Sequence, residues 1–299
     1  MRKINIVHGP GNNVLTDYLN SLNFVDKFIP LNEFNCQKFI DSSDIYLFTQ
    51  MWLNVEMFPI DIYKSDRLIF LNVEMLSEGN RWGHLYNLIK NNVRIADYSI
   101  TNINIIKHQL KTLNQPYSHE IIYLPYQYNY KEVCLLENTE NQYTYDIGII
   151  NAFPRKDSSV HESLTYKRTE IFNALQQMNF NIINILGWGE ERDEIIKKCK
   201  IIINVHHFEV FNVFEHMRCD RLLFANKIII SDKSLFMEEL DIFSCIIWKN
   251  YEDIIHYAGI VLNDFDTYQN KLKKTNKEQI ILNRLKTLKQ NYSLLQNIN

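Results

Sequence analysis

The stretch from Lys200 to Ser231, KIIINVHHFEVFNVFEHMRCDRLLFANKIIIS, constrains this chain more than any other. Ile201, Ile202 and Ile203 read as a strand running into a polar turn at His206, His207 and Glu209. A helix is predicted from Val210 to Ala225, and a second strand over Ile228–Ile230 ends at Ser231. At about 100° per residue, Val210, Val213, Phe214, Met217, Leu222, Phe224 and Ala225 fall on one wide apolar arc. Arg218 and Arg221 lie inside that arc. A guanidinium entering such a face needs an anion, because withdrawing a charge from water costs several kcal/mol. The anion is either an internal carboxylate, with Glu215 nearest, or the phosphate of a ligand.

Strand–helix–strand units of this kind recur along the chain. Strands are expected at Ile4–His8, Val25–Phe28, Ile45–Phe48, Leu68–Leu71, Ile95–Ser99 and Ile121–Leu124. Helices are expected at 13–22, 33–40 and 102–113. After a polar stretch, Leu136–Thr144, the alternation restarts with strands at Asp146–Ile150 and Ile182–Leu186 and helices at 167–178 and 192–199. Ile246–Trp248 reads as a last strand, and the chain from Tyr251 onward as helical. Alternation of strand and helix builds parallel sheets covered by helices. The fold class is therefore α/β, with two facing Rossmann-like domains. Residues 1–135 form the first, 136–145 a linker, 146–265 the second, and 266–299 C-terminal helices that return to the first. The 299 residues suffice for two cores.

Composition removes several classes of function. A net charge of -3 is not the basic excess of a dedicated nucleic-acid binder. No apolar run reaches membrane-spanning length, and the start MRKINIVHG enters a strand directly, so a cytoplasmic protein is expected. The five cysteines contain no Cys-x-x-Cys pair and read as reduced thiols. Heavy use of Ile and Asn beside only 8 Gly reads as genome composition.

Ligands of open α/β sheets sit beyond the carboxyl ends of the strands, so the residues there are the candidates. His8-Gly9-Pro10-Gly11-Asn12-Asn13 follows the first strand, and lets backbone approach a ligand or is a plain turn. Glu74, just past Leu68–Leu71, could take a proton from a hydroxyl or be a salt-bridged surface residue. Asp97 and Ser99 end another strand with the same ambiguity. Asn151 ends the first strand of the second half, ahead of Arg155, Lys156, Lys167 and Arg168. Gly187-Trp188-Gly189 suits a planar ring or packs in a core. His206 and His207 point to opposite sides of a strand end and make poor joint metal ligands. The helix amino end near Glu209 and Glu215 offers N–H groups to a phosphate, and Glu215 could hold ribose hydroxyls or pair with Arg218.

These residues resemble the GT-B class of nucleotide-sugar glycosyltransferases, and within it the group-1-like enzymes with a CgeB-type C-terminal domain found in bacteria and large DNA viruses. The likeness rests on Asn151, Arg168, Gly187, INVHHFEVFNVFEHMR and IIISD, in that order. Two features depart from it. Glu209 and Glu215 are separated by five residues where retaining members often space two glutamates more widely, and Asn226-Lys227 replaces a small-Gly pair.

The resemblance implies a sugar moved from a nucleoside diphosphate sugar to a hydroxyl on a glycan, lipid or protein, with no metal and no cofactor. Donor contacts are then Asn151, Arg168, Gly187, His206, Glu209, Glu215, Arg218 and Arg221, with the cations and the helix dipole taking the diphosphate's charge. Glu74 or His8 is the base of an inverting reaction, and Gly9, Gly11 and Asn12 form the acceptor-side loop. Two alternatives stay open: a non-catalytic nucleotide-sugar-binding protein of the same architecture, and a sugar-nucleotide epimerase.

Overall fold

A computed structural model describes residues 2–9, 16–49, 58–76, 80–137, 142–151, 166–187, 189–206 and 212–297. Contacts divide the chain into two units, Met1–Gln127 with Ile281–Asn299, and Tyr128–Ile280. The expected linker at 136–145 lies inside the second unit, and its residues 138–141 fall outside the described ones.

The first unit holds strands β1 (Ile4–His8), β2 (Lys27–Pro30), β3 (Ile45–Phe48), β4 (Leu68–Asn72), β5 (Arg94–Asp97) and β6 (Ile122–Tyr123). Its helices are α1 (Thr16–Ser21), α2 (Cys36–Asp41), α3 (Ile60–Tyr63), α4 (Asn80–Lys90) and α5 (Ile100–Thr112). The sheet order is β2-β1-β3-β4-β5-β6, all parallel. The second unit holds α6 (Tyr130–Cys134), β7 (Tyr145–Ile150), α7 (Tyr166–Gln177), β8 (Ile182–Ile185), α8 (Glu190–Lys197) and β9 (Cys199–Asn204). It continues with α9 (His216–Phe224), β10 (Ile228–Asp232), β11 (Ile247–Lys249), α10 (Ile254–Asn263) and α11 (Phe265–Lys273). Its sheet order is β11-β10-β9-β7-β8, again parallel. The final helix α12 (Lys277–Gln296) belongs to the first unit from Ile281 onward. There Arg284 donates to the Tyr126 carbonyl at 3.0 Å, and Gln296 and Arg2 exchange two hydrogen bonds.

The α/β class with two parallel sheets follows from the strand sequences. Central strands covered on both faces are near-continuous apolar runs, and β3, β4 and β10 are buried at every position, with polar residues at the carboxyl ends of β4 and β10. Edge strand β2 is partly exposed and ends in Pro30, which no further strand could pair with. Among the described residues no helix is long and apolar enough to cross a membrane.

Asparagine has a structural part that composition did not reveal. Five of the described non-glycine residues with positive φ are Asn92, Asn114, Asn151, Asn179 and Asn226. Asn92, Asn114 and Asn226 sit just past the ends of α4, α5 and α9. The next amide in each case reaches back to close the helix, as in Lys227 N to Leu222 O at 2.9 Å. That is glycine's usual place, and asparagine tolerates the left-handed region better than other side chains. The Asn226 that departs from the small-Gly pattern thus keeps the same backbone turn.

One glycine is fixed by packing. A methyl group on Gly148 in β7 would lie 2.6 Å from Ile185 Cδ1, 2.8 Å from Cys199 Sγ and 2.9 Å from Ile202 Cδ1. Gly148→Ala is expected to cost about 1–3 kcal/mol, read as a lowered denaturant midpoint with unchanged m.

The expected helix from Val210 begins later. Residues 207–211 lie outside the described ones, and α9 starts at His216 with Glu215 as its N-cap. Val213 and Phe214 are buried in the approach to the helix, Phe214 edge-on to Trp248 at 5.1 Å. Their apolar spacing serves a packed loop, and Glu215 stands at the helix mouth instead of one turn in.

Candidate functional site

In the second unit the strand order reverses at β7, which lies between β8 and β9. Crevices outside such reversals are where open α/β sheets take ligands. Arg168, on α7 just after β7, spans this place. It is wholly buried, and its Nε donates to the carbonyl of Val205, just past β9, at 2.6 Å. Its Nη2 donates to Glu215 Oε1 at 3.0 Å. Arg218, one turn into α9, ion-pairs with the other oxygen of the same carboxylate and donates to Asn204 Oδ1 at 3.2 Å. Two guanidiniums therefore share one carboxylate at the carboxyl end of β9. Burial first, then repulsion from Arg218, brings the Arg168 guanidinium down to about 9, with Glu215 and Asp232 pulling it back up. It stays cationic at neutral pH.

The floor of this cluster is a second polar set. Asn204 donates to Ser231 Oγ at 3.0 Å, joining the ends of β9 and β10. The His206 amide donates to both Asp232 oxygens at 3.2 Å, and its Nδ1 meets Oδ1 at 2.6 Å. A carboxylate only accepts, so Nδ1 carries the proton, and Nε2 faces the Val213 carbonyl and Ser234 Oγ, each at 3.2 Å. These bonds lace the two strand-end loops to each other and hold Asn204 under Arg218.

Of the expected donor contacts, the structure gathers Arg168, His206, Glu215 and Arg218. Asn151 and Gly187 close the neighbouring strands β7 and β8 in left-handed conformations, at φ 55° and 85°. Glu209, Trp188, Arg155 and Lys156 lie outside the described residues. Arg221, expected among the donor contacts, meets an internal anion. It clamps Asp193 of α8 with two bonds of 3.0 and 2.7 Å, and Glu132 of α6 lies 3.3 Å away. Sequence reasoning did not assign Asn204, Ser231 or Asp232 a part, although the strand-end rule that singled out His206 covers all three.

In the first unit, His8 ends β1 with Nδ1 at 3.2 Å from the Gly9 carbonyl, while Gly11 and Asn12 lie outside the described residues. Glu74 sits two residues past β4, half-buried. Beneath it is Asp97, fully buried at the end of β5, with Asn72, Asn102 and the Ser99 amide as donors. Burial pushes this carboxyl up to about 7, against the pull of those hydrogen bonds. Its ordinary value is 3.8, so between the two values the folded state holds a proton that the unfolded state has released. The resulting stabilisation is full below the ordinary value and lost as pH rises through 7. Going from about pH 8 to about pH 5 should therefore stabilise the parent over Asp97→Asn by about 2–3 kcal/mol. Denaturant midpoints of both proteins at the two pH values measure this.

The fold and site define an α/β protein of two parallel-sheet units, the second carrying a buried arginine–glutamate cluster at a strand-order reversal. No family model matches the chain. It belongs to the family of uncharacterized protein L140 of Acanthamoeba polyphaga mimivirus, with 30% identity over 248 residues, 80% of this chain and 73% of L140. Uncharacterized protein L137 of the same virus is 28% identical over 264 residues, covering 85% of this chain and 33% of L137. Among solved structures, an α1,3-fucosyltransferase with GDP-fucose aligns over 100% of this chain and 92% of its own at 14% identity and a TM-score of 0.47. A likeness at that level carries no functional inference.

Proposed function

We propose that this protein is a metal-independent glycosyltransferase, moving a sugar from a nucleoside diphosphate sugar to a hydroxyl of a glycan, lipid or protein. The observation that carries the reading is the pair Arg168 and Arg218 converging on the single carboxylate of Glu215 at the end of β9. Two guanidiniums on one carboxylate form a cationic fork that a diphosphate completes, and guanidiniums match phosphate oxygens in paired contacts. As the bond from the sugar's anomeric carbon to the diphosphate oxygen breaks, negative charge grows on the diphosphate. Fixed cations in a buried site stabilise that charge without reorganising. Glu215 keeps the two like charges side by side when the site is empty. Glu74 or His8 takes the acceptor proton.

Thermal unfolding against UDP-, GDP-, TDP- and CMP-sugars tests the reading. A donor at 100 times its dissociation constant should add about 2.7 kcal/mol. Transfer to an added acceptor, or slow release of free sugar, separates the enzyme from a binding protein. Stabilisation by none of the donors would remove the proposal.

A further inference from the structure

The buried Asp97 lies outside the chemistry described so far, and its surroundings show what it does. Asn72 Nδ2 donates to Asp97 Oδ2 at 2.6 Å and to the Glu74 carbonyl at 2.9 Å. Asn102 Nδ2 donates to Asp97 Oδ1 at 3.1 Å and to the same Glu74 carbonyl at 2.9 Å. The two amide oxygens accept in turn, from the Glu74 amide at 3.3 Å and from the Leu76 amide at 2.9 Å. Two side chains from separate elements thus grip the backbone of residues 74–76. We propose that Asp97 is a positioning residue that fixes Glu74, by setting the orientation of both asparagine amides. This rests on the reading of Glu74 as the base.

The physical reason lies in what an amide cannot do alone. Rotating an Asn amide by half a turn exchanges its oxygen and nitrogen and places oxygen against the Glu74 carbonyl, a repulsive contact. Ionised, above about pH 7, Asp97 forbids both rotations, because a carboxylate only accepts hydrogen bonds. A neutral amide at position 97 has one accepting and one donating end, so it can hold one asparagine in place and must release the other. Among the described residues the groups bonded to Asp97 are all neutral donors, so no ion pair explains why a carboxyl is buried here.

The test uses the full chain at about pH 8, where Asp97 is ionised, as parent, Asp97→Asn, Glu74→Gln and the double variant, with Asn102→Ala as a second route should Asp97→Asn fail to fold. Amide exchange at Leu76 reads the grip directly, and should accelerate in Asp97→Asn and in Asn102→Ala. Exchange equal to the parent's in whichever variants fold overturns the proposal. Turnover of the nucleoside diphosphate sugar reads the consequence. In the Glu74 background, Asp97→Asn should lower kcat on the order of 10- to 100-fold with donor KM little changed. In the Glu74→Gln background the same change should cost nothing more. Losses that multiply in the double variant overturn the link to Glu74. If no nucleoside diphosphate sugar is turned over by the parent, the transferase reading fails, while exchange at Leu76 still decides whether Asp97 holds the segment.

Discussion

Arg221→Ala should destabilise the protein by about 3–5 kcal/mol and leave nucleoside diphosphate affinity unchanged. The residue is 2% exposed, and its guanidinium grips both oxygens of Asp193 while its Nε donates to the Glu132 carbonyl at 2.8 Å. It therefore ties α9 to α8 and to α6. Truncation leaves the buried Asp193 carboxylate short of its main partner, and an uncompensated buried charge is the costly element. The lower end of the range is expected, because Arg192 stays on Asp193 Oδ1 at 3.1 Å. Asp193→Leu combined with Arg221→Met should recover only part of the loss: replacing both members of a buried pair by apolar groups is often near neutral, but here Arg192 and Glu132 each lose a partner. Denaturant midpoints and nucleotide titrations on the two variants decide the matter. A stable Arg221→Ala with weakened nucleotide binding would return this arginine to the donor site.

The two arginines were indistinguishable in the sequence, and the reason is physical. Both fall on the buried side of α9, and burial demands an anion without saying which. Asp193 is 28 residues away from Arg221, on another helix, and only the stacking of α8 against the sheet brings it near. Strands, by contrast, were legible to within two residues at either end, with β2 displaced from the expected Val25–Phe28 to Lys27–Pro30. A strand covered on both faces writes itself as an unbroken apolar run, and Ile45–Phe48 and Ile201–Ile203 do so.

Helices were harder where their composition is poor. The helix α4 carries Gly83, two asparagines and a histidine, all weak helix formers, yet Leu85, Leu88 and Ile89 bury one stripe against the core. Tertiary packing overrides propensity there. The start of α9 misled in the other direction, since Val213 and Phe214 continue the helical spacing but serve a loop. Asp97 was visible as a strand end, but its role depends on Asn72 and Asn102 converging from a neighbouring strand and a later helix. No spacing in the sequence encodes that.

Arg218→Ala should have the complementary profile to Arg221→Ala. Its side chain is 15% exposed, and each of its partners keeps another hydrogen bond when it is removed. Glu215 retains Arg168 at 3.0 Å, and Asn204 remains bonded to Ser231 at 3.0 Å. No buried charge is orphaned, though the Asn204 amide oxygen loses this donor, so the loss of stability should be about 1–2 kcal/mol. Affinity for a nucleoside diphosphate should fall by about 2–5 kcal/mol, the usual result of truncating one partner of a close charge pair. That corresponds to roughly 30-fold up to several thousand-fold in dissociation constant. Arg218→Lys should restore only part of it, because a point charge cannot reach Asn204 and a phosphate with a fixed fork. Glu215→Ala should move the two quantities in opposite directions. Arg168 and Arg218 then face each other with their shared carboxylate gone, so the empty protein loses stability while inorganic diphosphate binds more tightly than to the parent. Calorimetric titration with inorganic diphosphate and with the nucleoside diphosphates reads all three variants. If Arg218→Ala folds and binds every diphosphate as the parent does, the cationic fork is a structural feature and the donor lies elsewhere.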